Sequence, residues 1–223
     1  MVEQSIPPIL RPDNPNRVLL SELAGELAVS FPDGSANPTL TGVSMNTGDI
    51  RSGDIFFAMP GLKTHGANFV AQAIAGGAVA IATDSEGLKL IGQVNLPIIV
   101  VENPRLRLGE ACRFVYGNQL DEMPLMYGVT GTNGKTSTVH FLSAIFRQIG
   151  EVPGMSSSVE RHIADEIIIS RLTSPEAPES HALIARMREH GVTDVGWEVS
   201  AQALKQHRVD GIYFDVVAFT NLS

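Results

Sequence analysis

Apolar positions along this chain recur in two rhythms, and the switches between them outline the fold. Short apolar runs at Thr41–Met45, Asp54–Met59, Ala78–Thr83 and Pro97–Val101 predict strands. Helix-period spacing lies between and after them, near Asn68–Ala75 and from Arg105 to Tyr116. In the second of these helices Leu106, Leu108, Ala111, Cys112 and Val115 supply the apolar positions. Ahead of the first strand, Ser21 is placed to cap a short helix running through Leu27. Residues 1–17 hold Pro7, Pro8, Pro12 and Pro15 and predict an extended arm.

Residues Gly117 to Pro124 are polar and end in proline, which predicts a hinge. Two units are therefore expected, 18–120 and 121–223. The second opens with the apolar run Leu125–Val129. A helix follows, with Val139, Leu142, Phe146 and Ile149 on one face, Gly150 at the C-cap and Pro153 beyond. Then come a helix Glu179–Glu189 closed by Gly191, a strand Asp194–Val199, a short helix near Ala201–Gln206 and a strand Asp215–Phe219. The runs Leu125–Val129 and Val216–Phe219 predict strands buried on both faces. The fold class expected is α/β, a small N-terminal unit followed by a mostly parallel sheet that is incomplete at Ser223.

The junction between the Leu125 strand and the next helix carries the most specific chemistry. It reads Gly128-Val-Thr-Gly-Thr-Asn-Gly-Lys-Thr-Ser137. Strand, glycine loop, Lys-Thr and helix, in that order, form a phosphate cradle. Glycines let backbone N–H groups approach phosphate oxygens, and the helix start adds unpaired N–H groups and positive dipole. Lys135 is placed to reach the outer phosphates and the Thr136 hydroxyl to hold Mg2+. The spacing Gly128, Gly131, Gly134 is neither Gly-x4-Gly-Lys nor Gly-x-Gly-x2-Gly, so a dinucleotide fingerprint is excluded.

Composition narrows the setting. The chain has 223 residues, 43% of them apolar, enough for a core. Net charge is −8 with no basic cluster, which argues against nucleic acid as partner. The single cysteine, Cys112, excludes a disulfide framework and predicts a buried small residue in a reducing cytoplasm. No apolar stretch is long enough for membrane insertion.

Other polar positions keep two readings open. Glu198 faces away from Trp197 and Val199 in strand period, so it is either a Mg2+ ligand beside Thr136 or a solvated strand-end acid. Thr173-Ser-Pro-Glu176 reads as a helix-entry loop, Gln206-His-Arg208 as a polar turn, and Gly61–Gly66 as either a ligand loop or a turn.

Taken together, these segments resemble the Mur ligases, most closely the type that adds the third residue of the peptidoglycan stem peptide. Four blocks carry the likeness: Gly128–Thr136, Glu198-Val-Ser200 through Gln206-His-Arg-Val209, Phe219–Ser223, and Arg51–Gly61 with His65-Gly66. The resemblance implies a UDP-sugar-binding domain at 18–120 and an ATP-binding central domain at 121–223. It implies ATP on Gly131, Thr132, Asn133, Gly134, Lys135, Thr136 and Ser137, with Mg2+ on Thr136 and Glu198. It implies the UDP end on Met45, Thr47, Leu62, Lys63 and Thr64, and the muramoyl peptide on Thr173, Ser174, Ser200, Gln206 and Arg208. Lys135 and Glu198 would be the catalytic pair.

The implied reaction joins a diamino acid, diaminopimelate or lysine, to UDP-MurNAc-L-Ala-D-Glu through an acyl phosphate, in a protein monomeric when complete. Two departures stand out: Asn46-Thr-Gly48 replaces the family's Asp-Ser-Arg, and Ala201-Gln202 its Ser-His. Members of the family continue well past the equivalent of Ser223, so the chain is expected to make little or no amide alone. The alternative is a non-catalytic module that binds UDP-sugar or nucleotide.

Overall fold

The computed structural model describes residues 9–119, 121, 123–170 and 174–222. They fall into two compact units, residues 15–117 and residues 9–14 with 118–222.

In the first unit the elements run β1 (Val18–Leu19), α1 (Leu20–Glu26), β2 (Thr39–Leu40), β3 (Gly42–Ser44), β4 (Asp54–Ala58), α2 (Val70–Ala75), β5 (Ala80–Thr83), α3 (Ser85–Ile91), β6 (Ile98–Val100) and α4 (Pro104–Val115). Strands β3-β4-β5-β6 form a parallel sheet. Phe56 and Ile81 on the sheet pack with Val70 and Ala73 of α2, so two turns of helix are held by apolar burial. Cys112 is fully buried on α4, as its pattern predicts. Ser21 is not the cap of α1. The cap lies two residues earlier, at Leu19, whose N–H is taken by Glu22 Oε2 at 2.6 Å. A long acid three residues in satisfies the orphan donor from within the helix. Ser21 Oγ instead accepts from Asn37 Nδ2. Helix α3 has no helix-period signal, and Asp84 creates it by accepting the Gly87 N–H at 2.7 Å.

The second unit contains β7 (Leu125–Thr130), α5 (Lys135–Ile149), β8 (Pro153–Ser156), β9 (Glu160–Ile163), β10 (Glu166–Ile169), α6 (Ala177–Glu189), β11 (Asp194–Glu198), α7 (Ala201–Lys205) and β12 (Val216–Phe219). The sheet order is β10-β9-β8-β11-β7-β12, with β8, β11, β7 and β12 parallel. Val195 and Trp197 point to the α6 face and pack with Leu183, Ile184 and Met187. Val139 and Phe146 of α5 are buried on the other side, and Phe146 stacks on Tyr127 of β7 with ring centroids 4.8 Å apart. Arg161 of β9 and Glu179 of α6 make a buried ion pair.

Two expectations change here, and one stretch had none. The β8–β9–β10 meander has no clear sequence signal, because its strands are four residues each and polar at Glu160, Arg161 and His162. Ile149 lies outside the core; the buried line of α5 is Val139, Ser143 and Phe146. Strand β12 is not buried on both faces. Val216, Val217 and Phe219 are each at least half exposed, because β12 is the sheet edge and among the described residues pairs only with β7. Of the proline-rich arm, Asp13 and Asn14 both donate backbone N–H groups to the Glu189 carboxylate at 2.7 Å.

Candidate functional site

Parallel strands β7 and β11 end side by side, with Val129 level with Glu198. In an open α/β sheet the crevice at these carboxyl ends is where ligands collect. The glycine loop leaves β7 there and turns into α5. Its three glycines do different things. Gly128 is still in the strand, where a Cβ would come within 2.9 Å of the Phe214 ring, so it serves close packing. Gly131 has φ +129°, and a Cβ there would meet Thr220 Oγ1 at 2.2 Å. The first intrahelical bond of α5 runs from Thr138 N–H to Gly134 O at 2.9 Å. The N–H groups of Lys135, Thr136 and Ser137 therefore have no acceptor one turn back and open at the loop. Lys135 Nζ folds back onto the carbonyls of Gly131 and Thr132 at 2.8 and 3.0 Å.

Thr136 and Glu198, 62 residues apart, meet at the mouth of this loop. The Thr136 hydroxyl donates to Glu198 Oε2 at 3.0 Å, and the same oxygen accepts the Ser158 N–H at 3.0 Å. Glu198 is only 2% exposed, so it is not a solvated strand-end acid. A hydroxyl and a carboxylate are the hard oxygen donors that Mg2+ takes, and two protein ligands leave its other positions to phosphate and water. The donor set therefore fits Mg2+. The inward N–H groups and the lysine fit a phosphate tail. Ser158, from the loop after β8, is a member of this cluster that periodicity does not single out. Lower on β7, partial burial and then the Asp194 carboxylate, which accepts its proton at 3.1 Å, hold the Tyr127 phenol above its ordinary pKa.

A second polar cluster adjoins the first through the backbone of Glu198. Ser174 Oγ contacts Glu198 O at 3.4 Å and Ser200 Oγ at 3.3 Å, and accepts the Ser200 N–H. Arg208 reaches Ser174 O at 3.2 Å and pairs with Glu176 at 2.8 Å. Ser200 also caps α7 through the Ala203 N–H. Gln206 is the C-cap of α7, partly buried. Thr173 lies outside the described residues. Ser174, Ser200 and Arg208 thus share one neighbourhood, and Glu176 joins them without having been singled out by sequence.

In the first unit, Met45 Sδ lies 3.5 Å from Arg105 Nη1, and Thr47 begins a single turn capped by Asn46, whose side chain accepts the Gly48 N–H at 3.1 Å. Asparagine here does the capping an aspartate would do. The loop at 61–64 is held at its base by a bridge from Pro60 to His65, and by Thr64 accepting from Asn68. Leu62 is fully exposed at its tip.

Residues 129–223 match the Mur ligase middle domain and residues 39–116 match the Mur ligase family catalytic domain, so the two matches cover most of the chain. The chain belongs to the Mur ligase family. It is 44% identical over 217 residues to a UDP-N-acetylmuramyl-tripeptide synthetase of Leifsonia xyli subsp. xyli, covering 97% of this chain and 42% of that one. It is 42% identical over 213 residues to a UDP-N-acetylmuramoyl-L-alanyl-D-glutamate–2,6-diaminopimelate ligase of Streptomyces coelicolor, covering 96% and 41%. This Mur ligase chain thus spans about two fifths of the length of the curated relatives it matches. In fold it resembles a solved diaminopimelate ligase of the same name, with TM-score 0.74 at 22% identity over 93% of this chain and 41% of that one. A MurF ligase from Thermotoga maritima in complex with ADP gives TM-score 0.54 at 22% identity, over 80% and 37%. No helix among the described residues is long and apolar enough to cross a membrane.

Proposed function

We propose that this chain is the UDP-sugar-binding and ATP-phosphate-binding portion of a cytoplasmic ligase. That ligase extends UDP-MurNAc-L-Ala-D-Glu by a diamino acid, diaminopimelate or lysine. The observation that carries the reading is the Thr136–Glu198 contact of 3.0 Å at the end of a glycine loop. The names of the relatives from Leifsonia and Streptomyces supply the substrate class.

In this reading residues 18–120 form the UDP-binding domain and 121–223 the ATP-binding one, with residues 1–17 as an arm. ATP supplies the phosphoryl group that activates the acceptor carboxylate, and Mg2+ neutralises charge on its phosphates. The chain's own residues position and compensate. The loop Gly131–Ser137 cradles the phosphate tail through N–H groups. Lys135, which bonds two loop carbonyls, would serve the phosphate oxygens, and the Thr136 hydroxyl and Glu198 carboxylate would hold the metal. Thr173, Ser174, Ser200, Gln206 and Arg208 hold the anionic acceptor beside it. Met45, Thr47, Leu62, Lys63 and Thr64 hold the uridine end.

Calorimetry of the 223-residue chain with Mg-ATP and, separately, with UDP-muramoyl dipeptide tests the reading. Both ligands should bind, and no phosphate release dependent on both acceptor and diamino acid should follow. Failure of both ligands to bind would sink the proposal. If the same chain joined to the remaining part of a relative makes amide, it is part of a ligase; if not, a non-catalytic binding module is favoured.

A further inference from the structure

Strand β12 lies parallel to β7, with Phe219 level with Thr130, so the segments leaving the two strands emerge together. Thr220 and Asn221 follow β12 and close over the glycine loop. Thr220 N–H extends the ladder by one bond, to Thr130 O at 2.9 Å. Its hydroxyl donates to Asn133 O at 2.6 Å and occupies the space where a Cβ on Gly131 would be. Asn221 O accepts the Thr132 N–H at 3.0 Å. The Asn221 carboxamide addresses both backbone groups of one residue: Oδ1 accepts the Asn133 N–H at 3.0 Å and Nδ2 donates to Asn133 O at 3.3 Å. The partners are 87 to 90 residues apart, and their bonds add to those from Lys135 Nζ to the Gly131 and Thr132 carbonyls.

The N–H groups of the loop are thereby divided. Those of Thr132 and Asn133 are turned to Asn221, whereas those of Lys135, Thr136 and Ser137 open at the start of α5. A glycine-rich loop without such a clamp would have to be ordered by each incoming ligand, which weakens binding. We propose that Thr220 and Asn221 are positioning residues that preset the glycine loop. The N–H groups from Lys135 to Ser137, rather than those of Thr132 and Asn133, then meet phosphate. The proposal rests on the reading of this loop as an ATP site.

The test uses the whole 223-residue chain, ADP as probe, calorimetry, thermal melting and residue-resolved amide exchange. Asn221→Ala and Thr220→Val should weaken ADP by about tenfold, while Thr220→Ser, which keeps the hydroxyl, stays within about twofold of the unaltered chain. Melting temperatures should stay level, and exchange at Thr132 and Asn133 should quicken in Asn221→Ala. Adding ADP to the unaltered chain should newly protect amides 135–137. Unchanged ADP affinity in both clamp variants, or unchanged exchange at Thr132 and Asn133, overturns the clamp. New protection confined to Thr132 and Asn133 overturns the division of N–H groups. If Asn221→Ala does not fold, the Thr220→Val and Thr220→Ser pair decides by the same affinities. If the unaltered chain binds no ADP, the ATP reading falls instead. The exchange comparison then still decides whether Asn221 holds the loop.

Discussion

Glu198 shows how much one buried carboxylate is asked to do. Its Oε2 takes both the Thr136 hydroxyl and the Ser158 N–H while almost no surface is left to water. Glu198→Gln keeps the shape and an acceptor but removes the charge. Mg-dependent nucleotide affinity should then drop at least tenfold, about 1.4 kcal/mol, with Mg-free ADP binding unaltered in the same titration. An equal loss with and without Mg2+ would count against a metal role. Gly131 is the complementary case, where the absence of a side chain matters. Its φ of +129° and the Thr220 hydroxyl leave no place for a methyl group. Gly131→Ala should lower unfolding free energy by about 1–3 kcal/mol in urea melts, through backbone strain and displacement of Thr220.

At the level of elements, helices α5 and α6 and the glycine loop are legible in the sequence because their signals are local. The Val139 to Phe146 spacing, the Gly150 end and the Lys-Thr step each need only a few neighbouring residues. The β8–β9–β10 meander is illegible for the opposite reason. Arg161 lies in the middle of a four-residue strand and reads as a solvent-facing position, yet it is buried because Glu179 of α6 lies over it. Breaking such a pair leaves a charge with no compensation. Glu179→Ala should therefore cost about 3–5 kcal/mol in denaturant melts, and Glu179→Ala combined with Arg161→Met should recover part of it. Trp197 and Glu198 make the same point in one strand. Adjacent in sequence, they serve opposite faces, one the α6 core and the other the loop.

On the scale of the whole molecule, the edge of the second sheet is the conspicuous feature. Val216, Val217 and Phe219 on β12 are exposed, and Phe141, Ile145 and Ile149 form an exposed stripe at four-residue spacing on α5. An unpaired apolar edge is a template for association. The chain should self-associate as its concentration rises, and Val217→Lys should shift that onset upward in light scattering without lowering the melting temperature. If Val217→Lys leaves the onset where it was, β12 is not the sticky edge.

The sequence alone was sufficient for the two α/β units, the strand–glycine loop–helix junction and the family, because periodicity, glycine spacing and motif blocks are read over short stretches. It could not say that β12 lies beside β7 instead of β11, since strand order in a sheet is not chain order. Its pattern left open whether Glu198 sits beside Thr136, a meeting across 62 residues that only the resemblance implied, and it gave no sign that Asn133 meets Asn221 across 88. Those meetings exist because parallel strands finish at one level. That places loops from distant parts of the chain within hydrogen-bond reach, a consequence of packing that no local pattern encodes.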